Sequence, residues 1–337
     1  MALLFCDGFE NRPALTTKWD YSDWASITTG DKRTGSQSIC YPCLAHKILA
    51  PSGDSGVIGW AEKHGGAQTH TMYVPYGNPL VTATQVQFTV AINTVGALVV
   101  SAATELGRTA NGAIRADQWN YIEVKFTLSQ TVGTVAVKVN GATVLNLTGV
   151  DNCYQGSTTA WNGVSFNISS GPTYIDDVVV CDQSGAQNND WMGECRVVNI
   201  LPVTDAVAAG SNADFTCLTS TDHGAMVDEA TPDDDTSYVY SSTFNHVDSW
   251  EFAALGYTGT IKGVQLDLLA KKTESGARAL AGVTRPTSTN RVHATNHYLG
   301  MTNYLHYLAI WELNPDDSAA WEVADIDGAE FGVKVAV

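Results

Sequence analysis

Two strand-like runs joined by Asn140-Gly141 constrain the fold of this chain more than any other feature. Residues 121–126 and 134–139 alternate polar and apolar side chains, and a third run returns over residues 143–147. Alternation with a period of two places one face of a strand in a core and the other in water. Asn-Gly between two such runs favours a tight hairpin, because both turn residues must adopt positive φ. The pattern therefore predicts antiparallel β-structure.

Three stretches around this hairpin resemble the core of concanavalin A-like (laminin G-like) jelly-roll domains. They read Trp119-Asn120-Tyr121-Ile122-Glu123-Val124, Val137-Lys138-Val139-Asn140-Gly141 and Ile175-Asp176-Asp177-Val178-Val179-Val180. The resemblance covers about the front half of the chain and implies a sandwich of two antiparallel sheets. It also implies that the N-terminal strand pairs with the strand at 175–180, which would hide two sheet edges.

The chain as a whole resembles structural proteins of tailed-bacteriophage particles. Residues 188–198 and residues 321–335 carry this second likeness. It implies a virion protein that is assembled in the host bacterial cytoplasm and contacts other virion proteins. Head decoration, neck and tail surface all remain open as its position.

Residues 182–190 are polar and without periodicity, so they mark the best domain boundary. We expect an all-β chain with a concanavalin A-like jelly-roll sandwich over residues 1–185. A linker and extended segment over 186–203 would lead to a second, smaller β-sandwich domain over 204–337. A length of 337 residues agrees with about two domains.

The charge of the chain argues against two classes of partner. Its formal net charge is −17 at pH 7, and only 16% of its residues are charged. Nucleic acids and anionic membranes are bound through basic surfaces, so we expect neither as a partner. No apolar stretch reaches membrane-spanning length. The apolar residues 1–9 read as a first strand rather than a signal peptide, so we expect the mature protein to begin near Met1.

The sequence offers no recognisable set of catalytic residues, and we expect a protein that is not an enzyme. Hydrolases with a concanavalin A-like fold carry a row of carboxylates on one strand, whereas Glu123 is followed two residues later by Lys125. No G-x-S-x-G elbow and no phosphate-binding loop is present. His64 and His70 suggest a zinc site, but without a ligand motif we expect them to be structural.

One acidic cluster is a candidate cation site. Asp233, Asp234 and Asp235 follow Pro232 in a predicted loop, where carboxylates could hold Ca²⁺. A solvated turn is the favoured alternative, so we expect no obligatory cofactor. The adjacent Asp176 and Asp177 lie in a predicted strand and would point to opposite faces unless the strand bends.

Cysteines and tryptophans give two further sets of candidates. Seven cysteines are present, and we expect reduced, buried or idle thiols. As an alternative, Cys40, Cys43 and Cys195 are candidates for disulfides that form after cell lysis. Four tryptophans are candidates for stacking on sugar rings or for packing in a subunit interface: Trp19, Trp24, Trp311 and Trp321. In β-sandwiches, tryptophan more often lies in the core.

These features favour a structural component of a phage particle that acts through protein–protein contacts and forms a homo-oligomer. The alternative is a glycan-binding adhesin of the virion, in which the first domain holds a host surface glycan. A depolymerase would need paired carboxylates that the sequence does not offer.

Overall fold

The computed structural model describes residues 3–11, 15, 18–24, 26–66, 69–76, 85–154, 158–205, 212–301 and 303–337. The chain divides into two compact units, Met1–Val198 and Asn199–Val337. The division falls inside the predicted linker, residues 186–203. Residues 186–198 belong to the first unit, and residues from Pro202 enter a strand of the second.

The first unit consists of short strands joined by turns. They are β1 (Leu3–Asp7), β2 (Tyr21–Asp23), β3 (Ser26–Thr28), β4 (Ser38–Cys40), β5 (Cys43–Ile48), β6 (Ser55–His64), β7 (His70–Pro75), β8 (Val86–Ile92), β9 (Leu98–Ser101), β10 (Glu105–Arg108), β11 (Asn120–Thr127), β12 (Gly133–Val139), β13 (Ala142–Val150), β14 (Gly163–Ile168) and β15 (Thr173–Asp182).

These strands form two antiparallel sheets, which confirms the predicted jelly-roll class. Among the described residues, the eight-stranded sheet runs in the order β13-β12-β11-β6-β15-β4-β3, with β1 beside β15. The seven-stranded sheet runs β10-β9-β8-β7-β14-β5-β2. The pairing of β1 with β15 is as expected. The hairpin turn is also confirmed, because Asn140 and Gly141 have φ values of 48° and 78°.

Aromatic rings from both sheets fill the space between them. Phe126 of β11 and Phe88 of β8 are both fully buried, with ring centroids 5.2 Å apart. Trp161 packs edge-on against Phe126 at 5.2 Å. A ring buries a large apolar area, so this cluster accounts for much of the hydrophobic stabilisation of the first unit.

The second unit is a smaller sandwich. Its strands are β16 (Pro202–Asp205), β17 (Thr216–Cys217), β18 (Val239–Tyr240), β19 (Val247–Phe252), β20 (Val264–Ala270), β21 (Ala279–Arg285), β22 (Arg291–Val292), β23 (His297–Tyr298), β24 (Leu305–Trp311) and β25 (Glu330–Val335). A 3₁₀ turn covers Gly224–Met226, and the helix α1 covers Val323–Gly328.

A six-stranded sheet in the order β16-β19-β25-β21-β22, with β23 beside β21, packs against the β20–β24 pair. Leu266 and Trp311 of the pair share one buried cluster with Phe331 of β25 and with Trp321. The alternating residues 261–271 predict a strand with a bulge near Gly263, but β20 is shorter and begins at Val264, directly after this glycine. Within the described parts of the chain, no helix has the length and hydropathy needed to cross a membrane.

Candidate functional site

The two sheets of the first unit differ in how their outward faces meet solvent. In the eight-stranded sheet, the central strands β6, β11 and β15 are buried on both faces over most of their length. In the seven-stranded sheet, β7, β8 and β9 mostly alternate between buried and partly exposed residues. One outward face is therefore covered, whereas the other, which we call the open face, is partly exposed along β7, β8 and β9.

The cover of the eight-stranded sheet is the segment 190–197, which we call the strap. It belongs to none of the sheets formed by the described residues. Met192 at its centre is 7% exposed and contacts Cys181 of β15 through sulfur atoms 3.7 Å apart. At its start, Asp190 pairs with Lys125 of β11 at 2.6 Å, and Lys138 of β12 lies 4.3 Å from the centre of the Trp191 ring.

Two buried carboxylates hold the strap by its backbone. Glu123 Oε1 accepts hydrogen bonds from the N–H groups of Met192 (2.9 Å) and Gly193 (3.0 Å). Asp177 Oδ1 accepts one from the N–H of Val197 at 2.8 Å. Glu123 is 1% exposed and Asp177 is 0% exposed. Charge-assisted hydrogen bonds of this kind are about twice as strong as neutral ones, so these contacts explain why a segment outside any sheet lies flat on this face.

A bulge in β15 lets the adjacent Asp176 and Asp177 both bind the loop around Arg33. The register of β15 against β6 shifts between Asp176 and Val179, and Asp177 has φ of 51°. The strand therefore bends at this position. Asp176 Oδ2 accepts from the backbone N–H groups of Arg33 (2.8 Å) and Thr34 (3.1 Å), while Asp177 Oδ2 accepts from the Arg33 guanidinium at 2.6 Å. Both carboxylates thus anchor the loop around Arg33.

Burial, together with the neighbouring charge of Asp177, raises the pKa of Asp176 to about 7, although backbone donors oppose this shift. The folded state therefore holds a proton between about pH 4 and pH 7 that the unfolded chain releases. Stability from this group is present at acid pH and is lost as the pH rises through that window.

We predict that the free energy of unfolding falls by up to about 4 kcal/mol between pH 4 and pH 7 because of Asp176 alone. In Asp176→Asn that part of the slope should vanish. Urea denaturation of both proteins across this pH range measures the difference. If the unfolding free energies of the two proteins change with pH in parallel, the prediction is wrong, because Asp176 would then have the same pKa in the folded and the unfolded state.

The open face of the seven-stranded sheet carries two rows of side chains that cross the sheet from edge to edge. Cross-strand pairing and alternation define them. The first row is Tyr21, His46, Ser165, Tyr73, Thr89, Ser101 and Glu105. The second row is Asp23, Leu44, Asn167, Thr71, Ala91, Val99 and Arg108.

The charged groups of these rows lie at the edges. Glu105 and Arg108 occupy β10 and form an ion pair with each other, with an Nε–Oε1 distance of 2.6 Å, while Asp23 lies on β2 at the opposite edge. The middle of the face has neutral hydrogen-bonding groups and the ring of Tyr73, whose hydroxyl lies 3.5 Å from Asn167 Nδ2. A surface of this kind suits an uncharged, hydroxyl-rich ligand.

The first row contains a buried histidine and a buried serine, on β5 and β14. His46 Nδ1 and Ser165 Oγ are 2.6 Å apart, and both residues are 0% exposed. Burial lowers the pKa of His46, so its imidazole is neutral near pH 7. The pair therefore adds no charge to the face, and its burial keeps it from direct contact with a ligand.

A loop bounds the face at one end. Gln87 of β8 is 0% exposed, and its Nε2 donates to the carbonyls of Thr158 and Ala160 at 2.6 Å each. Its Oε1 accepts from the N–H of Tyr154, whose ring stacks with that of Tyr76 at 6.4 Å. The partly exposed rings of Tyr76 and Tyr154 thus lie beside the neutral middle of the open face.

Three of the four candidate tryptophans lie in hydrophobic cores. Trp19 is 1% exposed, and its Nε1 donates to Asp7 at 2.7 Å. Trp311 and Trp321 are 8% and 2% exposed within the core of the second unit. These three rings offer no free surface for a sugar. Trp24 is 70% exposed and follows β2 at the edge of the seven-stranded sheet.

The candidate cysteines are thiols rather than disulfides, as are the other four. Cys43 is buried, and burial together with Cys40 raises the pKa of its thiol to about 12. Cys195 lies in the strap, where its carbonyl accepts from the Arg33 guanidinium at 2.6 Å. Formation of disulfides after lysis stays a prediction.

The acidic cluster of the second unit already has protein partners. Asp235 Oδ2 accepts from Lys271 at 2.9 Å, and its Oδ1 accepts from the Tyr304 hydroxyl at 2.9 Å. Asp233 accepts from Ser237, and Asp234 has φ of 57° in the turn. A nearby ammonium disfavours a cation. Within the described ranges, no group of three His, Cys, Asp or Glu side chains could hold a metal ion. The structure gives no support to the calcium prediction.

The polar centre of the open face was not among the candidates drawn from the sequence. Thr71 and Tyr73 lie in a run that the sequence predicts as a strand, and their parity places them on one face. The sequence does not show which of the two sheet faces the strap covers, so this surface could not be identified from it.

No protein-family model and no curated protein matches this chain. Solved structures resemble about half of this chain. An endo-β-1,4-glucuronan lyase from the fungus Trichoderma reesei has 12% identity and a TM-score of 0.36 over 52% of this chain and 94% of that one. Lectin II from Ulex europaeus has 10% identity and a TM-score of 0.37 over 53% and 97%. The carbohydrate-binding module CBM66 from Bacillus subtilis has 7% identity and a TM-score of 0.34 over 51% and 98%. With TM-scores below 0.5, these likenesses carry no argument about function.

Proposed function

We propose that this protein is a non-enzymatic binding component of a tailed-phage particle, and that the open face of its seven-stranded sheet binds a neutral glycan of the host surface. The observation that carries the proposal is the contrast between the two outward faces. The strap covers one, whereas the other keeps partly exposed side chains at its centre, namely Tyr73, Thr71 and Asn167. Aromatic rings stack on the C–H faces of sugars, and amide and hydroxyl groups bond their hydroxyls.

Carboxylate spacing favours binding over hydrolysis. In the two rows, Glu105 and Asp23 lie on the opposite edge strands β10 and β2. Six strand spacings separate these edges, roughly 29 Å, whereas paired carboxylates of glycosidases are about 5–9.5 Å apart. These two groups therefore cannot act as an acid and its partner on one sugar.

The place of the protein on a phage particle rests on the sequence resemblance. Exposed apolar side chains of the second unit favour contacts with other virion proteins or with further copies, notably Phe244 (61%), Tyr298 (66%) and Tyr240 (51%). Mass spectrometry of purified particles tests this part. Many copies per particle would support it, and absence of the chain from the particles would refute it.

Glycan binding is tested with the full chain on an array of host surface glycans, followed by calorimetric titration of the best ligand. We predict that Tyr73→Ala weakens binding about fivefold or more, because truncation of an aromatic residue that contributes to binding removes at least about 1 kcal/mol. Tyr240→Ala is the matched control, since it removes a tyrosine that is 51% exposed on the second unit. Silence across the array, or equal loss in both variants, would reject the proposal.

A further inference from the structure

The strap is bound in the manner of a peptide ligand. Its backbone N–H groups at Met192, Gly193 and Val197 meet carboxylates of the sheet, and its carbonyl at Cys195 meets the Arg33 guanidinium. Contacts to backbone groups depend little on the side chains of the bound segment. Met192 and the Asp190–Lys125 ion pair add selectivity for this sequence.

The groove that receives the strap has defined walls. Glu123 and Lys125 of β11 lie along one part of it, and Asp177 lies in the β15 bulge with Arg33 at its side. Arg33 also lies 5.1 Å from the centre of the buried Tyr121 ring and pairs with Glu194 of the strap at 2.7 Å. The carboxylates thus accept from N–H groups of the strap, and the guanidinium donates to a strap carbonyl.

The connection before the strap permits it to leave this groove. Residues 183–189 are polar and lie outside the sheets formed by the described residues. Seven extended residues reach roughly 23 Å, so this connection can span the width of several strands. Every contact that a strap makes within its own chain is available, atom for atom, in the groove of a second copy.

We propose that the outward face of the eight-stranded sheet is a groove for an extended polypeptide, and that in assemblies of this chain the strap of one copy occupies the groove of another. Within an isolated chain, the effective concentration of the tethered strap favours its own groove. At the high local concentration of an assembly, exchange links copies without any new contact. This inference does not depend on glycan binding.

Proline substitutions test the groove, because proline lacks the N–H that the carboxylates bind. In the full chain, Met192→Pro with Val197→Pro should release the strap, and Arg196→Pro at an exposed position of the strap is the control. A labelled peptide of residues 189–199 should then bind the doubly substituted chain at least tenfold more tightly than the control. Adding Glu123→Gln to the double variant should weaken this binding at least tenfold, and circular dichroism checks that this variant remains folded. Failure of the peptide to bind the double variant, or equal binding after Glu123 is changed, overturns the groove.

Exchange is tested without disturbing the fold, at the exposed ends of the Lys125–Asp190 pair. One population carries Lys125→Cys and the other Asp190→Cys; they are refolded together at high concentration and treated with a short bismaleimide. We expect cross-linked heterodimers well above the level formed by unsubstituted chains, which control for native cysteines. Heterodimers at the control level would overturn exchange between copies.

Discussion

Replacing Asp177 with asparagine is expected to lower the free energy of unfolding of the first unit by about 3–5 kcal/mol, the usual cost of removing one member of a buried ion pair. Asp177 is 0% exposed and accepts from the Arg33 guanidinium (2.6 Å), the Thr34 hydroxyl (2.7 Å) and the Val197 N–H (2.8 Å). An amide in its place turns an N–H₂ group toward donors and leaves the Arg33 charge without its closest partner.

The loss is measured from the denaturant transition of the first unit, with Asp190→Asn as the matched control. Asp190 is an exposed carboxylate of the strap that also pairs with a cation, Lys125. Exposed pairs contribute little, so the control should be close to unsubstituted protein. If Asp177→Asn costs less than about 1 kcal/mol, the bulge does not have the anchoring role assigned to it here.

Replacing Glu62 with alanine is expected to destabilise the first unit by a similar amount, about 3–5 kcal/mol, because it opens a cavity in the core and leaves a buried donor unsatisfied. Glu62 of β6 is 1% exposed, accepts from the Trp60 indole N–H at 3.0 Å and contacts Nε2 of His70 on β7. Because β6 and β7 belong to different sheets, this pair joins the two layers inside the core. Alanine leaves the buried indole N–H of Trp60 without an acceptor and removes the contact with His70.

Glu105→Ala is the matched control for this experiment, since it breaks an exposed ion pair with Arg108 at the sheet edge. We expect no measurable change in its unfolding transition. Equal transitions for Glu62→Ala and Glu105→Ala would contradict the interpretation of the Glu62–His70 contact as a link between the sheets.

Local patterns predicted the fold well because they encode local geometry. Alternation identified β11 and β12, and Asn140-Gly141 identified the turn between them, where both residues have positive φ. The pairing of β1 with β15 followed from the family resemblance. In the second unit, the break in alternation around Gly263 was interpreted as a bulge, and the strand instead begins after it.

The functional surfaces depend on partners far apart in the sequence, so they could not be predicted. Residues 186–198 have the composition of a linker, and the segment is docked by distant groups such as the carboxylate of Glu123, 69 residues before Met192. The Asp176-Asp177 pair in a strand predicts side chains on opposite faces, and the bulge overrides that rule. Glu62 and His70 are an intermediate case, since the short connection from β6 in one sheet to β7 in the other brings them together from eight positions apart.

Hydroxyl-radical footprinting of the full chain, with and without the glycan selected on the array, tests whether the two outward faces of the first unit differ in exposure and in glycan binding. We expect Tyr121 and Met192, which are 1% and 7% exposed, to be protected in both conditions. Tyr73 should react in the free chain and become protected when the glycan binds. Rapid reaction of Tyr121 and Met192 in the free chain, or a glycan that leaves Tyr73 reactive at saturation, would contradict a closed eight-stranded face and an open, ligand-binding seven-stranded one.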